Sequence, residues 1–181
     1  MQIITGIGSH QWKKSTAVTL GKFDGLHRGH QKLVSRIMEY KSPECDSVLC
    51  AFDMGRESLM TKDERRKQLE GKIDYLVEYP FTREVREMEA EDFIDCVLCG
   101  ILRASHIVVG TDFTFGYRKR GNAAMLADFA ESRGYTVDVI EKEQYQGREI
   151  SSSYIREALS RGEVELAGKL LGYPYEMSGI V

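Results

Sequence analysis

The sequence predicts an α/β fold, built on a mainly parallel sheet of five to six strands with helices on both faces. Three observations support this prediction. Short apolar runs without alternation, typical of strands buried on both faces, recur at 17–20, 47–52 and 106–110. Segments with apolar residues at helical spacing lie between these runs. A strand, a helix and a second strand form a βαβ unit, whose crossover is almost always right-handed.

In chain order, an edge segment at 2–7 precedes the first buried strand at 17–20, and a helix follows that strand. Thr61 and Glu64 form a capping box, which predicts an ordinary helix start. A helix over 90–102 has one broad apolar face. The other predicted strands lie at 47–52, 73–77, 106–110 and 135–140. The other predicted helices lie at 125–130 and 162–171, and one more begins directly after 150–153.

Composition limits the classes of protein that fit. A chain of 181 residues with 42% hydrophobic residues predicts one domain around one core. The net charge of −3 argues against general nucleic-acid binding, which requires a basic surface. No stretch reaches the roughly 18 to 20 apolar residues of a membrane span, and the first residues lack a signal-peptide pattern. We therefore expect a cytoplasmic protein with small-molecule partners and no membrane partner.

The four cysteines include a C-x-x-C pair, Cys96 and Cys99, which is a pattern of redox and metal sites. The pair lies in the middle of a predicted helix, opposite its apolar face, and no second C-x-x-C supplies the other half of a zinc site. We expect reduced thiols without a catalytic role.

Residues 21–30 join the first buried strand to the first helix and have the sequence G-K-F-D-G-L-H-R-G-H. A helix start usually carries Asp or Glu, because the macrodipole places partial positive charge there. Here the first turn carries His27, Arg28 and His30, which indicates a bound anion such as phosphate. The glycines leave room for phosphate to reach backbone N–H groups. Each feature alone is more often structural, but together, after a strand, they favour a phosphate site.

Two later segments follow predicted strands. Asp112 and Phe115 lie in a loop after the strand at 106–110, on the sheet edge where residues 21–30 also emerge. An exposed hairpin with a solvated basic run at 118–120 is the alternative.

A second helix start carries Ser152, Ser153 and Arg156, and no Glu or Gln stands three residues after either serine. Arg156 in the first turn indicates another anion site. A plain serine cap is the alternative.

The segment G-x-F-D-G-x-H-x-G-H resembles the prokaryotic FAD synthetases, among the nucleotidyltransferases with an H-x-G-H signature. The segment 109–116 resembles that family's V-G-x-D-F-x-F-G signature, and 150–156 resembles I-S-S-T-x-I-R, with Ser153 where Thr is usual. The resemblance covers nearly the whole chain. It departs at 52–55, where many members carry a His-Pro pair near the flavin.

The resemblance implies a Rossmann-like nucleotidyltransferase that joins ATP and FMN into FAD and pyrophosphate with Mg²⁺. It implies a catalytic role for His27, His30 and Arg156 at the ATP phosphates. It implies that ATP and its phosphates are bound by Gly21, Phe23, Gly25, Gly29, Ser152 and Ser153. Asp112 would contact Mg²⁺ and the FMN phosphate, and Phe115 would stack on the flavin.

The resemblance also implies an adenylyltransferase domain at 1–172, with 173–181 resembling the start of an absent riboflavin kinase module. We therefore expect FAD synthesis without riboflavin phosphorylation. Two alternatives remain open at this stage. One is another small-molecule adenylyl- or cytidylyltransferase of the same fold, and the other is a nucleotide-binding module without catalysis.

Overall fold

The computed structural model describes residues 1–6, 8, 10–53 and 58–176, and its central element is a six-stranded sheet. Every neighbouring pair of strands is parallel. The predicted parallel α/β sheet is therefore confirmed. In spatial order the strands are β1 (Gln2–Thr5), β4 (Tyr75–Pro80), β3 (Cys45–Asp53), β2 (Ser15–Gly21), β5 (Ala104–Gly110) and β8 (Thr136–Ile140).

Helices cover both faces of the sheet, as predicted. On one face, α1 (Arg28–Glu39) and α2 (Lys62–Leu69) pack on a buried apolar cluster. On the other face, α3 (Arg83–Glu87), α4 (Ala90–Asp92) with the helix that follows it, and α5 (Ala123–Arg133) pack on a second cluster. The predicted capping box of α2 is present, since Thr61 and Glu64 each bond the other's backbone N–H.

The strand order of the sheet has a switch point between β2 and β5. The chain passes from β2 to β3 and β4 on one side, then crosses to β5 and β8 on the other. The carboxyl ends of β2 and β5 therefore border the crevice where open α/β sheets bind ligands. Residues 21–30, predicted to bind phosphate, begin at the last residue of β2, and Asp112 and Phe115, predicted to bind FMN, follow β5.

The predicted helix at 90–102 has an unexpected geometry. After the short α4, residues Phe93–Ile101 form a π-helix, which ends with a hydrogen bond from Leu102 N to Val97 O at 2.9 Å. The wider turn changes which side chains share a face. Cys96 is exposed, but Cys99 is half-buried and packs against the core, so the prediction that both cysteines lie opposite the apolar face is wrong for Cys99.

Two short hairpins and a C-terminal helix pair complete the fold. The hairpins are β6 (Thr114–Phe115) with β7 (Gly121–Asn122), and β9 (Gln144–Tyr145) with β10 (Arg148–Glu149). The loop after β5 thus forms a hairpin with an exposed basic run at 118–120, as in the alternative prediction, but Phe115 and Gly121 within it are buried, and its predicted binding role stays a prediction. The helices α6 (Ser152–Ser160) and α7 (Val164–Leu171) enclose a third apolar cluster.

Some sequence features lie outside the described residues. These are Met54 and Gly55, where the resemblance departs, and the tail at 178–181. Within the described ranges, no helix combines the length and apolar character needed to cross a membrane.

Candidate active site

The segment between β2 and α1 has an unusual backbone. Phe23, Gly25 and Leu26 all adopt left-handed conformations, with φ of 47°, 79° and 39°. Such conformations are unfavourable for residues other than glycine and persist only where the surroundings hold them. Here burial supplies the support, because the Phe23 side chain is fully buried and Leu26 is 4% exposed. We call residues 21–30 the phosphate loop.

The start of α1 lacks a side-chain cap. His27 is the N-cap residue, its side chain makes no capping hydrogen bond, and the first turn contains no acidic residue. The first backbone N–H groups of a helix have no intrahelical acceptor. Arg28, however, points elsewhere, because its guanidinium donates to Glu143 Oε1 at 2.6 Å. The anion-binding potential of this end therefore comes from the backbone and the histidines.

His27 and His30 stack on each other, with ring centroids 3.7 Å apart and planes 20° from parallel. The Phe23 ring supports His30 from a centroid distance of 5.1 Å. The Nδ1 atoms of both histidines are buried without a hydrogen-bond partner. Unpartnered buried polar atoms are unfavourable in a folded protein and are concentrated at functional sites.

Both histidines are neutral at neutral pH. Burial lowers the pKa of His27 to about 4, although the Asp24 and Asp112 carboxylates oppose this shift. Burial, with a smaller effect of His27, holds the pKa of His30 well below its ordinary value of 6.5. Each neutral imidazole still offers one N–H donor.

These lowered pKa values predict a pH-dependent stability. Between about pH 6.5 and 4 the unfolded chain binds protons on both histidines and the folded chain does not, so the free energy of unfolding should fall as the pH falls. His27 alone should contribute about 2 kcal/mol between roughly pH 7 and 5. Urea denaturation at the two pH values measures this, and His27→Asn should reduce the difference. A stability that is equal at both values would contradict the buried, neutral histidines.

The glycines of the phosphate loop have structural reasons of their own. A Cβ on Gly25 would lie 3.0 Å from Leu59 Cδ1, and one on Gly29 would lie 3.3 Å from His27 Nδ1. A Cβ on Gly21 would contact the Phe23 ring at 3.4 Å. Gly25 thus allows close packing under the loop, and Gly29 allows the His27 ring to fold over the helix start. Their roles in ATP binding stay predictions.

The start of α6 approaches the phosphate loop from the other side. Ser151 caps this helix by accepting a hydrogen bond from Tyr154 N at 3.2 Å, which confirms the plain serine cap for that residue. Ser152 Oγ donates to Asp24 O at 2.9 Å, and the Arg156 guanidinium forms an ion pair with the Asp24 carboxylate. Ser153 is exposed. The structure therefore brings Ser152 and Arg156 to the phosphate loop.

Asp24 is the central residue that the sequence analysis missed. Its carboxylate also accepts hydrogen bonds from Ser58 Oγ at 2.7 Å and from Leu59 N at 2.6 Å. It therefore joins the phosphate loop, the segment before α2 and the start of α6. The signal in the sequence was an acidic residue in an otherwise basic loop, but its partner Arg156 lies 132 residues away.

Asp112 follows β5 on the same sheet edge. Its side chain is 68% exposed, and Lys142 Nζ lies 3.0 Å from its carboxylate. Its effect on the pKa of His27 is consistent with a position near the phosphate loop. Within the described ranges, no three His, Cys, Asp or Glu side chains are grouped to hold a metal ion. A role of Asp112 in holding Mg²⁺ stays a prediction.

Phe115 is not placed to stack on a flavin. Its ring is 7% exposed and packs against Phe93 and Phe113, at centroid distances of 5.4 and 5.6 Å. A Cβ on Gly121 would lie 2.6 Å from the Phe115 ring, so that side is covered as well. Phe115 therefore occupies a core position, and its burial argues against the predicted contact with the flavin. Phe113 is only partly buried and lies nearer the surface.

Comparison with known proteins gives one family. The family model described as FAD synthetase matches residues 9–154. A bifunctional riboflavin kinase/FMN adenylyltransferase of Buchnera aphidicola is 34% identical over all of this chain and 62% of its own length. A FAD synthetase of Listeria monocytogenes is 31% identical over 93% of this chain and 73% of its own length.

The chain spans somewhat less than two thirds of the first bifunctional relatives it matches, 62% and 63% of their lengths. Among solved structures, the chain resembles one titled as a macrolide-efflux protein from Streptococcus pneumoniae. The TM-score is 0.84 at 25% identity, and the match covers 97% of this chain and 63% of the other. This similarity supports the fold described above.

Proposed function

Because this chain belongs to the FAD synthetase family, we propose that it transfers the adenylyl group of ATP to FMN. In the reaction a phosphate oxygen of FMN attacks the α-phosphorus of ATP. The bond from that phosphorus to the α,β-bridging oxygen breaks, and pyrophosphate leaves with its electron pair. The products are FAD and pyrophosphate. No protein nucleophile is required, because the FMN phosphate is already an anion.

One observation carries the proposal, namely the stacked and neutral histidine pair at the uncapped start of α1. Its two buried Nδ1 atoms lack hydrogen-bond partners, and the first turn of α1 contains no acidic residue that would offset the positive end of the helix dipole. An anion placed at this helix end would receive hydrogen bonds from the backbone and the imidazoles. The triphosphate of ATP fits this chemistry.

The histidines would act on the leaving group. Negative charge grows on the bridging oxygen and on pyrophosphate as the α-phosphorus bond breaks. Fixed donors aimed at that charge stabilise the transition state more than the bound substrate. His27 and His30 are held rigidly by their mutual stacking and by Phe23, so they meet this requirement without reorganisation.

Arg156 and Ser152 would bind the phosphates from the α6 side. Arg156 is 44% exposed and remains accessible while paired with Asp24. A guanidinium matches the geometry of two phosphate oxygens and keeps its charge at any relevant pH. Ser153 is exposed at the first turn of α6 and could donate its hydroxyl to a phosphate oxygen.

Mg²⁺ is proposed as the metal, with Asp112 as the residue that would hold it. An exposed carboxylate at the sheet edge fits an ion that is usually bound by one or two carboxylates and by substrate phosphates. When bound, the ion would neutralise charge between the phosphates. Lys142 now pairs with Asp112 and with Glu149, so it would keep Glu149 as its partner if Asp112 turned to the metal.

The flavin ring would contact partly exposed aromatic side chains instead of Phe115. Phe52 is the penultimate residue of β3, Phe81 follows β4 and Phe113 lies shortly after β5, so all three lie at the carboxyl edge of the sheet. The Phe52 and Phe81 rings meet edge to face with centroids 6.1 Å apart. Aromatic side chains with an exposed face suit a planar ring system.

The test is to incubate the protein with ATP, Mg²⁺ and FMN and to separate the products by chromatography. FAD and pyrophosphate should form in equal amounts. Phosphopantetheine and nicotinamide mononucleotide serve as competing acceptors and should give no comparable product. Efficient adenylylation of either one would support the other-transferase alternative, and ATP binding without turnover would support the binding-module alternative. The cytoplasmic location and the lack of a nucleic-acid partner stay predictions.

A further inference from the structure

We propose that Asp24 is a positioning residue, which orients Arg156 toward the ATP phosphates before the substrate arrives. This inference rests on the proposed function, since it assigns a role within the same site. Asp24 would not contact ATP itself. It would act through the Arg156 guanidinium and through the start of α6.

The contacts of Asp24 divide its two carboxylate oxygens between two tasks. Oδ1 accepts hydrogen bonds from Ser58 Oγ and Leu59 N, at 2.7 and 2.6 Å. Oδ2 accepts the hydrogen bond of the Arg156 guanidinium. The first two bonds fix the orientation of the carboxylate, and the third uses that orientation to direct the arginine. The Asp24 side chain is 13% exposed, so little solvent competes for these bonds.

The backbone adds a further constraint. Asp24 lies between Phe23 and Gly25, both left-handed, and its own carbonyl oxygen accepts the Ser152 hydroxyl at 2.9 Å. Side chain and backbone of one residue therefore both contact the first turns of α6. A change in the loop would be transmitted directly to Arg156.

Attachment of the C-terminal helices does not depend on Asp24. Tyr173 donates its hydroxyl to Gly25 O at 2.5 Å, and Gln31 Nε2 donates to both Leu26 O and Leu171 O, at 2.9 and 2.7 Å. The apolar cluster of α6 and α7 also includes Leu59 from the segment before α2. These contacts would hold the helix pair in place without the Asp24 carboxylate.

Asp24 therefore contributes more to the orientation of Arg156 than to the stability of the fold. A partly exposed ion pair contributes little to folding. An arginine side chain has many rotamers, however, and it must be restricted to one of them before its guanidinium can contact the phosphates. A fixed carboxylate orders the arginine side chain before ATP binds, so less conformational entropy is lost on binding.

A double-mutant cycle with Asp24→Asn and Arg156→Met tests the proposal. Asparagine keeps the size of the side chain and an oxygen for Ser58 and Leu59, but it loses the charge that directs Arg156. The readouts are the Kd for ATP without FMN, kcat/KM for FAD formation, and the melting temperature. Glu157→Gln is the matched control, because Glu157 lies on the same helix as Arg156 but pairs with Arg148 of β10 and with Arg161, neither of which belongs to the phosphate loop.

We expect Asp24→Asn to weaken ATP binding by roughly tenfold and to lower kcat/KM by at least that factor, with a melting temperature near wild type. In the Arg156→Met background the same change should have almost no further effect. Glu157→Gln should behave like wild type. If wild type binds ATP but makes no FAD, the proposed function fails, and the cycle on the ATP Kd still decides the role of Asp24.

Three results would overturn the proposal. Full additivity of the two changes would mean that Asp24 does not act through Arg156. Tighter ATP binding in Asp24→Asn would mean that the carboxylate competes with the phosphates for the arginine. A large loss of melting temperature in Asp24→Asn would make Asp24 a structural anchor.

Discussion

Replacing His27 or His30 with alanine is expected to lower kcat for FAD formation by about 10²- to 10³-fold, with little change in KM for ATP. The reason is that a donor aimed at charge on the leaving pyrophosphate contributes mainly in the transition state. Steady-state kinetics with ATP as the varied substrate measures the effect. The melting temperature should change by only a few degrees, because truncation loses packing but also removes an unpartnered buried nitrogen.

His106→Ala is the matched control for these variants. His106 is also a histidine with a pKa lowered mainly by burial, but it stacks on Tyr40 and contacts Thr136, away from the carboxyl edge of the sheet. It should lose an imidazole without losing turnover. If the His27 and His30 variants keep the wild-type kcat, the histidines have no part in the mechanism. If both variants unfold, the pair is structural.

Gly116→Ala is expected to destabilise the fold by about 3 to 5 kcal/mol. Gly116 has φ of 70°, and an added Cβ would lie 2.7 Å from the backbone Cα of Ala90. Two unfavourable terms therefore act together. One is a backbone conformation, φ 70° with ψ 174°, that is essentially restricted to glycine, and the other is a collision with backbone that cannot rotate away. The collision would push the loop after β5, which carries Asp112, away from the start of α4.

Gly134→Ala is a comparison variant at a glycine with positive φ and no close neighbour, although its ψ of 32° places it in the ordinary left-handed helical region. Gly134 has nearly the same φ, 72°, but nothing lies within 4 Å of its Cβ direction. The control should lose only about 1 to 2 kcal/mol. For a domain of this size each kcal/mol lowers the melting temperature by about 2 to 4 °C, so thermal melts separate the two variants. Equal shifts would show that the close approach to Ala90 is absent.

The sheet and the location of the site were predictable because they depend on local patterns. Continuous apolar runs such as 106–110 identify buried parallel strands, and the carboxyl ends of such strands share one edge. The anion site at the start of α1 was predicted from the helix dipole and the basic first turn alone, and both are local features. The capping box of Thr61 and Glu64 was equally local and is confirmed.

The errors concern properties that arise only from tertiary structure. The protonation state of His27 depends on burial by residues distant in the chain, which no local sequence pattern shows. Phe113 and Phe115 look alike in the sequence, but packing against Phe93 buries one more than the other. The contact between Asp24 and Arg156 joins segments that no local pattern relates.

The most direct test of adenylyl transfer follows the label from ATP. Two samples of ATP, one labelled on the α-phosphate and one on the γ-phosphate, are each incubated with the protein, FMN and Mg²⁺. In-line attack at the α-phosphorus predicts that the α-label appears in FAD and the γ-label in pyrophosphate, in equal amounts. A γ-label found in a flavin product, or an α-label that stays in unreacted ATP while the protein binds both substrates, would contradict the account.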